Sequence, residues 1–465
     1  MTAREIVWDA LSEVNEAGGL CHQVLADALT KQELSPEDRA FVTRLFHGTL
    51  ERQITLDTVI AAAAGRPVSK IKARVRELLR LSAYQMLFLS GVPASAACNE
   101  AVSMAKRRGL TGLSGFVNGV LRGLSRRIAE CGGPKAFLED TANTMSYDEA
   151  LCFRYSVPSW IVALWRRDFP EADIETMLAA FLAEGSVAIR VNESRCSAEE
   201  LISGLSAEGA DPMPGLLYNT LRVGGSGNPA KFRAYADGWF SVQDESAVLA
   251  GNLIPLAKGM KVLDLCAAPG GKTIHAADRL AALGGSYEVD SRDVSAGKLD
   301  AIREQAGRVG LTGITCKAAD ASVYDASLEG WADVVIADVP CSGLGVIGRK
   351  PDIKTKTRPE DIAALAKLQR EILRQAVRYV KPGGYLAYST CTVALAENRG
   401  MSEFIAGELG MTPVDLRGQL PAVLRESPMQ KSGLRADGVQ IFPEPGRWDG
   451  FYVAGFRKMK DAFSE

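Results

Sequence analysis

Two cysteines and a glycine-rich turn each follow a short apolar run, and together they could carry out covalent chemistry beside a bound cofactor. Residues 264–273 read DLCAAPGGKT and follow the run 261–263. Cys341 lies in DVPCSG after the run 334–337, and Cys391 directly follows the run 385–390. Glycines in a strand-to-helix turn let a ligand approach the backbone, and a thiolate is a strong nucleophile. The spacing therefore predicts one cleft that holds both a cofactor and the thiols.

The positions of the cysteines distinguish reactive thiols from structural ones. Most lone cysteines are small buried hydrophobic residues, and we expect that role for Cys266 and Cys316. Cys341 and Cys391 instead share a position at strand ends. Neither has a histidine close in sequence, so activation must come from the substrate, the cofactor charge or a lysine. Asp338 precedes Cys341 by three residues on a proline-containing turn, which predicts that both side chains face the cleft.

A thiol, a carboxylate and a cofactor together fit the alkylation of carbon 5 of a pyrimidine. That carbon is a poor nucleophile while the ring is aromatic, and a thiolate that adds to carbon 6 makes it an enamine. A base must then remove the proton from carbon 5 so that the thiol can leave. Such an enzyme must also take the pyrimidine out of any base stack.

The glycine-rich turn does not match the common nucleotide motifs. A P-loop would need glycine where this chain has Cys266, and no G-x-G-x-x-G occurs at the turn. A ribose partner would be an acid about 20 residues further on, and both Asp290 and Asp293 qualify. We prefer Asp293, because it precedes a helix that begins near Ser295. Asp320, after the third strand, is a candidate for contact with the adenine.

Strand-like and helical segments alternate from about residue 241 onward. The strand-like segments are 261–265, 286–291, 313–316, 333–337 and 385–390, and helical patterns include 296–309 and 359–380. Such alternation predicts an α/β fold with a mostly parallel sheet covered on both faces. Ligands in these sheets bind beyond the carboxyl ends of the strands, which is where the residues singled out above fall.

Two different regions precede this α/β region. Residues 1–135 have helical periodicity throughout, and SPED at 35–38 is a helix-start signal. CGGP at 131–134 marks the first boundary. Residues 145–240 predict a small α/β module with strands at 187–191 and 216–223, a helix at 198–205 and a turn at 211–215. We therefore predict three domains, 1–135, 145–240 and 241–465.

The net charge of −2 hides a strongly basic stretch. Residues 66–127 hold twelve lysines and arginines against two acids, Glu77 and Glu100. An excess of ten positive charges is typical of a surface that binds a phosphate backbone, although a solvated helix face would give the same pattern.

Cysteine and histidine usage argues against metal binding and secretion. The nine cysteines include no C-x-x-C pair, and the three histidines have no ligand-like partners, so we expect no metal site. An odd number of thiols fits a reducing compartment. No apolar run reaches the roughly 18 residues that a membrane span needs. We expect a monomer that acts in the cytoplasm without a membrane partner.

The motifs resemble those of the Sun/Nop (Fmu-type) RNA cytosine-C5 methyltransferases, which use S-adenosylmethionine. The matching segments are DLCAAPGGKT (264–273), DVSAGKL (293–299), Asp320, DVPCSGLGVIGRKPDIK (338–354), KPGGYLAYSTC (381–391) and DGFYVAGFRK (449–458). The first ~130 residues resemble the NusB-type helical RNA-binding domain. The combination is similar to the bacterial RsmB-type branch, which methylates a cytosine in small-subunit (16S) ribosomal RNA.

The resemblance implies a Rossmann-like class I methyltransferase domain, preceded by an all-α NusB-like domain and a small α+β module. It also implies roles for individual residues. Cys391 is the nucleophile at carbon 6, Cys341 assists product release, and Asp338 bonds the polar edge of the flipped cytosine. Asp338 is also expected near the cofactor, whose other ligands are Cys266, Ala267, Ala268, Pro269, Gly270, Gly271, Lys272, Asp293 and Asp320.

This chain departs from the family pattern at two places, and two other functions remain as alternatives to RNA methylation. The second strand segment offers Asp290 as an alternative ribose contact, and Thr355 stands where the family often has an aromatic residue. The competing functions are a methyltransferase for a small molecule or protein, and an RNA-binding assembly factor without catalysis. The basic helical half argues against the first, and the intact cysteine pair argues against the second.

Overall fold

The computed structural model describes residues 1–183, 186–224 and 228–460. The chain forms two compact units. One unit comprises Met1–Arg167 and Ile347–Lys356, and the other comprises Asp168–Val346 and Thr357–Glu465. A short segment from the second half of the sequence therefore belongs to the N-terminal unit.

The N-terminal unit is helical, as the periodicity predicts. Its helices are α1 (Ala3–Glu16), α2 (Cys21–Thr30), α3 (Pro36–Glu51), α4 (Gln53–Ala64), α5 (Ala73–Phe88), α6 (Ala94–Arg107), α7 (Ser114–Glu130), α8 (Pro134–Asn143), α9 (Tyr147–Tyr155) and α10 (Ser159–Asp168). Ser35 caps α3 through a bond from the Asp38 amide, with Pro36 in the first turn, so the predicted helix start is confirmed. Apolar faces of these helices enclose one core around Trp8, Phe46 and Leu78.

The segment Ile347–Lys356 is fastened to these helices by buried polar groups. The Asp352 carboxylate accepts bonds from the amide (3.5 Å) and thiol (3.0 Å) of Cys21, at the start of α2. The Lys354 ammonium donates to the Glu51 carbonyl at 2.5 Å. Burial lowers the pKa of Lys354 to about 7. Thr355 lies in a helical turn of this segment and donates to the Asp352 carbonyl.

A small α/β module follows. Its elements are α11 (Ile174–Ala180), β1 (Val187–Val191), α12 (Ala198–Ala207), β2 (Pro212–Pro214), β3 (Thr220–Val223), α13 (Arg233–Ala236) and β4 (Phe240–Val242). The antiparallel sheet has the order β2-β3-β1-β4. The buried Arg190 on β1 donates to Asp278 in the next region at 2.7 Å, and both side chains have no exposed surface.

Two predictions for this module are wrong. Residues 216–219 are a turn rather than a strand. The Thr220 hydroxyl accepts a hydrogen bond from the Leu217 amide, and the Thr220 carbonyl accepts one from the Gly215 amide, which closes the turn. Residues 212–214, predicted as turn, are strand β2, which pairs with β3. β2 is at the edge of the sheet, where the missing amide of a proline is tolerated.

The third region is the predicted α/β fold with an antiparallel addition. Its elements are α14 (Glu245–Asn252), β5 (Lys261–Asp264), α15 (Gly271–Ala282), β6 (Glu288–Asp293), α16 (Ala296–Val309), β7 (Ile314–Ala318), β8 (Ala332–Asp338), α17 (Ile353–Lys356, in the N-terminal unit), α18 (Pro359–Tyr379), β9 (Val380–Thr390), α19 (Arg399–Gly407), β10 (Thr412–Val414), α20 (Ala422–Arg425), β11 (Leu434–Arg435), β12 (Gly438–Ile441) and β13 (Phe451–Arg457).

The sheet order is β11-β12-β13-β9-β8-β5-β6-β7, with β10 beside β13. β5 to β9 are mutually parallel, whereas β13 runs antiparallel to β9. The second strand is shifted from the predicted 286–291 to Glu288–Asp293, so Asp290 lies within it and Asp293 ends it. β5, β8 and β9 end side by side, which brings the glycine turn and both cysteine segments to one edge.

Candidate active site

The glycine turn between β5 and α15 leaves its backbone open to a ligand. Gly270 has φ +110°, in the left-handed region, and a Cβ there would meet Ile302 at 3.0 Å. A Cβ on Gly271 would meet only the Gln243 amide, at 3.6 Å. α15 begins at Gly271, so its first amides face the space beyond the strands. Such a helix start favours a negatively charged group.

Asp264, the last residue of β5, has one carboxylate oxygen without a partner among the described residues. Its Oδ2 accepts a hydrogen bond from the Thr273 hydroxyl at 2.7 Å, whereas Oδ1 is buried and has no hydrogen-bond donor among the described residues. Burial raises the pKa of this carboxyl to about 7. A buried acceptor without a donor is costly, so the turn fits a ligand that brings a donor or a cation. The residue list predicted from sequence does not include Asp264.

The two ribose candidates have different surroundings. The Asp293 carboxylate accepts from the amides of Ala268 (3.1 Å) and Ser295 (2.9 Å), so it links the glycine turn to the start of α16. The Asp290 carboxylate accepts two bonds from Arg292, at 3.0 and 2.8 Å. Asp293 is therefore beside the turn, while Asp290 pairs with Arg292 through Oδ2 and its buried Oδ1 has no partner among the described residues.

Asp320 borders a cavity of about 400 Å³ after β7. Its carboxylate accepts from the amide and hydroxyl of Ser322. Leu265, Tyr324 and Leu328 also line the cavity, and its charged lining residues are Arg292, Asp320 and Asp325. Cys266 follows Leu265 in the chain, and burial raises the pKa of its thiol, as expected for an unreactive cysteine.

The sulfur atoms of Cys341 and Cys391 are 3.5 Å apart, much further than the roughly 2.05 Å of a disulfide. The two residues are fifty positions apart in sequence, and the parallel pairing of β8 with β9 brings them together. The contact with the Cys391 thiol, burial and the nearby Glu397 carboxylate raise the pKa of Cys341 well above its usual value. Cys341 is therefore a thiol at neutral pH.

Asp338 and Lys272 join the cysteine segment to the glycine turn. The Lys272 ammonium is 2.6 Å from the Asp338 carboxylate, whose other oxygen accepts from Ser389 at 2.8 Å. The ammonium also lies 4.9 Å from the centre of the Phe451 ring. The Lys272 side chain is 8% exposed and that of Asp338 is 34% exposed, so the ammonium is buried while the carboxylate faces water.

Glu397 is a fully buried acid that links three segments around the thiols, and sequence reasoning missed it. One carboxylate oxygen accepts from the Ser342 amide (2.9 Å) and from Gln369 (3.0 Å). The other oxygen bonds the Ser342 hydroxyl, which also contacts the Thr392 hydroxyl at 2.7 Å. Burial raises the pKa of Glu397. The residues next to both cysteines are thus tied to one carboxylate.

A contact between two glycines fixes the same loop from the other side. The Gly345 amide donates to the Cys391 carbonyl at 3.1 Å, and the Gly450 amide donates to the Gly345 carbonyl at 2.9 Å. A Cβ on Gly345 would lie 2.0 Å from the Gly450 carbonyl oxygen. Only glycine fits this approach, and Gly345 lies in the segment 338–354 that carries the sequence resemblance.

The chain is similar to known proteins along most of its length. The family described as 16S rRNA methyltransferase RsmB/F matches residues 252–457, the NusB family matches residues 1–126, and the RsmF/B-like ferredoxin-like domain matches residues 157–220. Among solved structures, the crystal structure of PH0851 shares the fold, with a TM-score of 0.78 and 23% identity over 98% of this chain and 99% of that chain.

Two curated relatives match over nearly their whole length. The probable ribosomal RNA small subunit methyltransferase B of Bacillus subtilis is 34% identical, over 98% of this chain and 99% of the relative. The protein with the same description from Synechocystis is 33% identical, over 98% of this chain and 100% of the relative. No helix among the described residues is long and apolar enough to cross a membrane. By these full-length matches, the chain belongs to the RsmB/F family of ribosomal RNA methyltransferases.

Proposed function

We propose that this protein transfers a methyl group from S-adenosylmethionine to carbon 5 of a cytosine in small-subunit (16S) ribosomal RNA, through a covalent bond from Cys391 to carbon 6. The observation that carries the proposal is the 3.5 Å separation of the Cys341 and Cys391 sulfur atoms. Methyl transfer to carbon 5 needs both a nucleophile and a group that assists its departure. Two thiols in contact at the edge of a cofactor turn supply both.

The residues at the glycine turn fit S-adenosylmethionine, which supplies an electrophilic methyl group on a sulfonium sulfur. The unbonded Asp264 oxygen suits its cationic amino acid part, and the amides of α15 suit its carboxylate. In this proposal Asp293, which is hydrogen-bonded to the glycine turn, accepts from the ribose hydroxyls, and the cavity at Asp320 takes the adenine. The rest of the contact surface is the backbone of residues 266–272.

Each residue near the thiols has one task in the proposed reaction. The Cys391 sulfur bonds to carbon 6, which makes carbon 5 nucleophilic. Asp338, held by Lys272, accepts from the amino group of the extruded cytosine. After transfer, the Cys341 thiolate takes the carbon 5 proton, the electron pair of the broken carbon–hydrogen bond forms the double bond to carbon 6, and the carbon–sulfur bond breaks to release the Cys391 thiolate. Cys341 assists this last step, because it is the group in contact with the departing sulfur.

The division of the chain follows the same proposal. Residues 1–135 bind RNA, residues 145–240 form the connecting module, and residues 241–465 carry the methyl transfer. We further propose that the protein acts as a cytoplasmic monomer.

The decisive experiment compares single cysteine variants in a transfer assay with labelled cofactor and 16S RNA. We expect Cys391→Ala to lose transfer completely. We expect Cys341→Ala to accumulate a protein–RNA adduct, visible as a shifted band on a denaturing gel. Cys316→Ala, a partly buried cysteine on β7, is the matched control and should behave like the wild type. An active Cys391→Ala protein would rule out the proposed chemistry.

Two further measurements separate the competing functions. Parallel incubations with ribosomal RNA, a protein extract and small metabolites identify the methyl acceptor. Bisulfite sequencing of RNA from cells with and without the protein locates the modified cytosine. Retained RNA binding with no transfer to any RNA would instead indicate an assembly factor.

A further inference from the structure

Only part of the basic stretch 66–127 is neutralised by acids of the N-terminal unit. Five of its twelve bases form ion pairs, among them Arg74 and Arg108 with Asp9 and Arg107 with Glu5. The described residues place no carboxylate within ion-pair distance of the other seven, which are Arg66, Lys70, Lys72, Lys106, Arg122, Arg126 and Arg127. The positive charge that remains is therefore available to an external anion.

Two of these bases border an open groove between α6 and α7, with a volume of about 470 Å³. The groove is lined by Asn99, Val102, Ser103 and Lys106 of α6 and by Ser114, Gly115, Asn118 and Arg122 of α7. Seven of these eight residues are polar, basic or glycine, and none is acidic. Arg122 donates to the Asn118 side chain at 3.0 Å, which orients its guanidinium along the helix. Arg126, one turn further along α7, continues the basic row and is exposed.

The glycines of α7 have no packing role within the protein. A Cβ added to Gly115, Gly119 or Gly123 would meet nothing within 4 Å. Each glycine inside a helix costs about 1 kcal/mol relative to alanine, so three in one helix weaken it without internal compensation. Missing side chains would, however, let an external ligand lie directly against the helix backbone.

We propose that the groove between α6 and α7 binds the sugar–phosphate backbone of the RNA substrate. Lys106 and Arg122 contact phosphate oxygens, the amide and hydroxyl side chains donate to the sugar and phosphate, and the glycine surface lets the strand approach closely. These contacts fix the position of the strand and carry no sequence information. From Asn99 to Lys106 the groove extends two turns of helix, about 11 Å, enough for adjacent phosphates of one strand.

An RNA strand fits this surface better than a membrane or a protein segment. Val102 is the one aliphatic side chain in the lining, so the groove offers little apolar area to a lipid or a protein anchor. The assignment rests on the proposed function for the identity of the ligand as RNA.

The test measures RNA affinity at several salt concentrations, by fluorescence anisotropy with a 16S RNA fragment and the full-length protein. We expect Lys106→Ala combined with Arg122→Ala to reduce the salt slope by about 2, because each phosphate contact contributes about 1. Methyl transfer at limiting RNA should fall in step with the affinity. Lys258→Ala is the control, since Lys258 is an exposed base of the second unit, outside the residues proposed to bind RNA. An unchanged slope in the double variant would overturn the proposal.

A glycine variant separates binding from folding. Gly115→Leu places a side chain in the groove, where its Cβ meets open space, and leucine is the better helix former. We expect a thermal midpoint equal to or above that of the wild type, together with weaker RNA binding. Wild-type affinity in a folded Gly115→Leu protein would contradict the close approach. The binding readout needs no catalysis, so RNA binding without methyl transfer would refute the proposed function and leave this inference standing.

Discussion

A change at Glu397 perturbs both cysteine segments at once, because this buried acid is hydrogen-bonded to Ser342, which in turn contacts Thr392. Replacing it with alanine leaves the Ser342 amide buried without an acceptor, and the Gln369 side-chain amide keeps only its bond to the Pro340 carbonyl. Each buried group that loses its partner costs about 1–3 kcal/mol, so we expect Glu397→Ala to destabilise the protein by about 3–5 kcal/mol. Glu397→Gln keeps one oxygen in place for both donors and removes only the charge. Its stability should lie within about 1 kcal/mol of the wild type.

The glutamine variant also tests how the site controls the release step. In the proposed adduct the Cys391 sulfur is bonded to carbon 6, so the Glu397 carboxylate remains as a negative group that raises the pKa of Cys341. Removing that charge lowers the pKa of Cys341, and the thiolate then forms at lower pH. We therefore expect the pH profile of adduct breakdown to shift to lower pH in Glu397→Gln, with breakdown at pH 7 faster than in the wild type.

The assay forms the adduct in a rapid-mixing experiment and follows its disappearance on denaturing gels between pH 6 and 9. Glu245→Gln is the matched control, because Glu245 is a buried acid that bonds Thr220 and Arg222 rather than the cysteine segments. That variant should lose stability without any shift of the release profile. A profile for Glu397→Gln that overlays the wild type, in a folded protein, would refute the electrostatic reasoning.

Three more predictions concern other parts of the second unit. Burial raises the pKa of Asp264 to about 7, and a cationic ligand prefers the ionised carboxylate. We therefore expect the affinity for the cofactor, measured by calorimetry, to rise as the pH increases through 7. The Asp264→Asn variant should lose this pH dependence. Arg190→Met leaves Asp278 buried without its cation and should cost about 3–5 kcal/mol in denaturant unfolding, while an unchanged midpoint would contradict the role of the pair. Gly345→Ala should abolish methyl transfer, because the new Cβ would lie 2.0 Å from the Gly450 carbonyl oxygen. Gly418→Ala is the control and should leave methyl transfer intact, because a Cβ at that position has no atom within 4 Å.

The features that sequence predicts are local in the chain. The glycine turn, the strand ends and the alternation of strands with helices depend on neighbouring residues, and α16 has the predicted bounds Ala296–Val309. The position of Cys341 near Cys391 follows from the rule that parallel strands end together. Asp293 is preferred over Asp290 on another local feature, the helix that begins near Ser295 directly after it.

The features that sequence does not predict depend on contacts between distant residues. Glu397 has no motif of its own, and its partner Ser342 is 55 residues away. The basic stretch likewise appears uniform in sequence, although folding brings acids such as Asp9 against part of it. Strand β2 was missed because prolines at 212 and 214 are turn signals, and its strand conformation comes from pairing with β3.

The distance between the two sulfur atoms has a consequence for the order of the proposed reaction. Two negative charges 3.5 Å apart repel by about 5 kcal/mol at an effective dielectric constant of 20, so the pair holds at most one thiolate near neutral pH. A charge on Cys391 raises the pKa of Cys341 well above its usual value, so Cys341 stays a thiol while Cys391 acts as the nucleophile. Bonding of that sulfur to carbon 6 removes its charge and with it the repulsion. Cys341 can then lose its proton, so the group that assists release ionises only after the attack is complete.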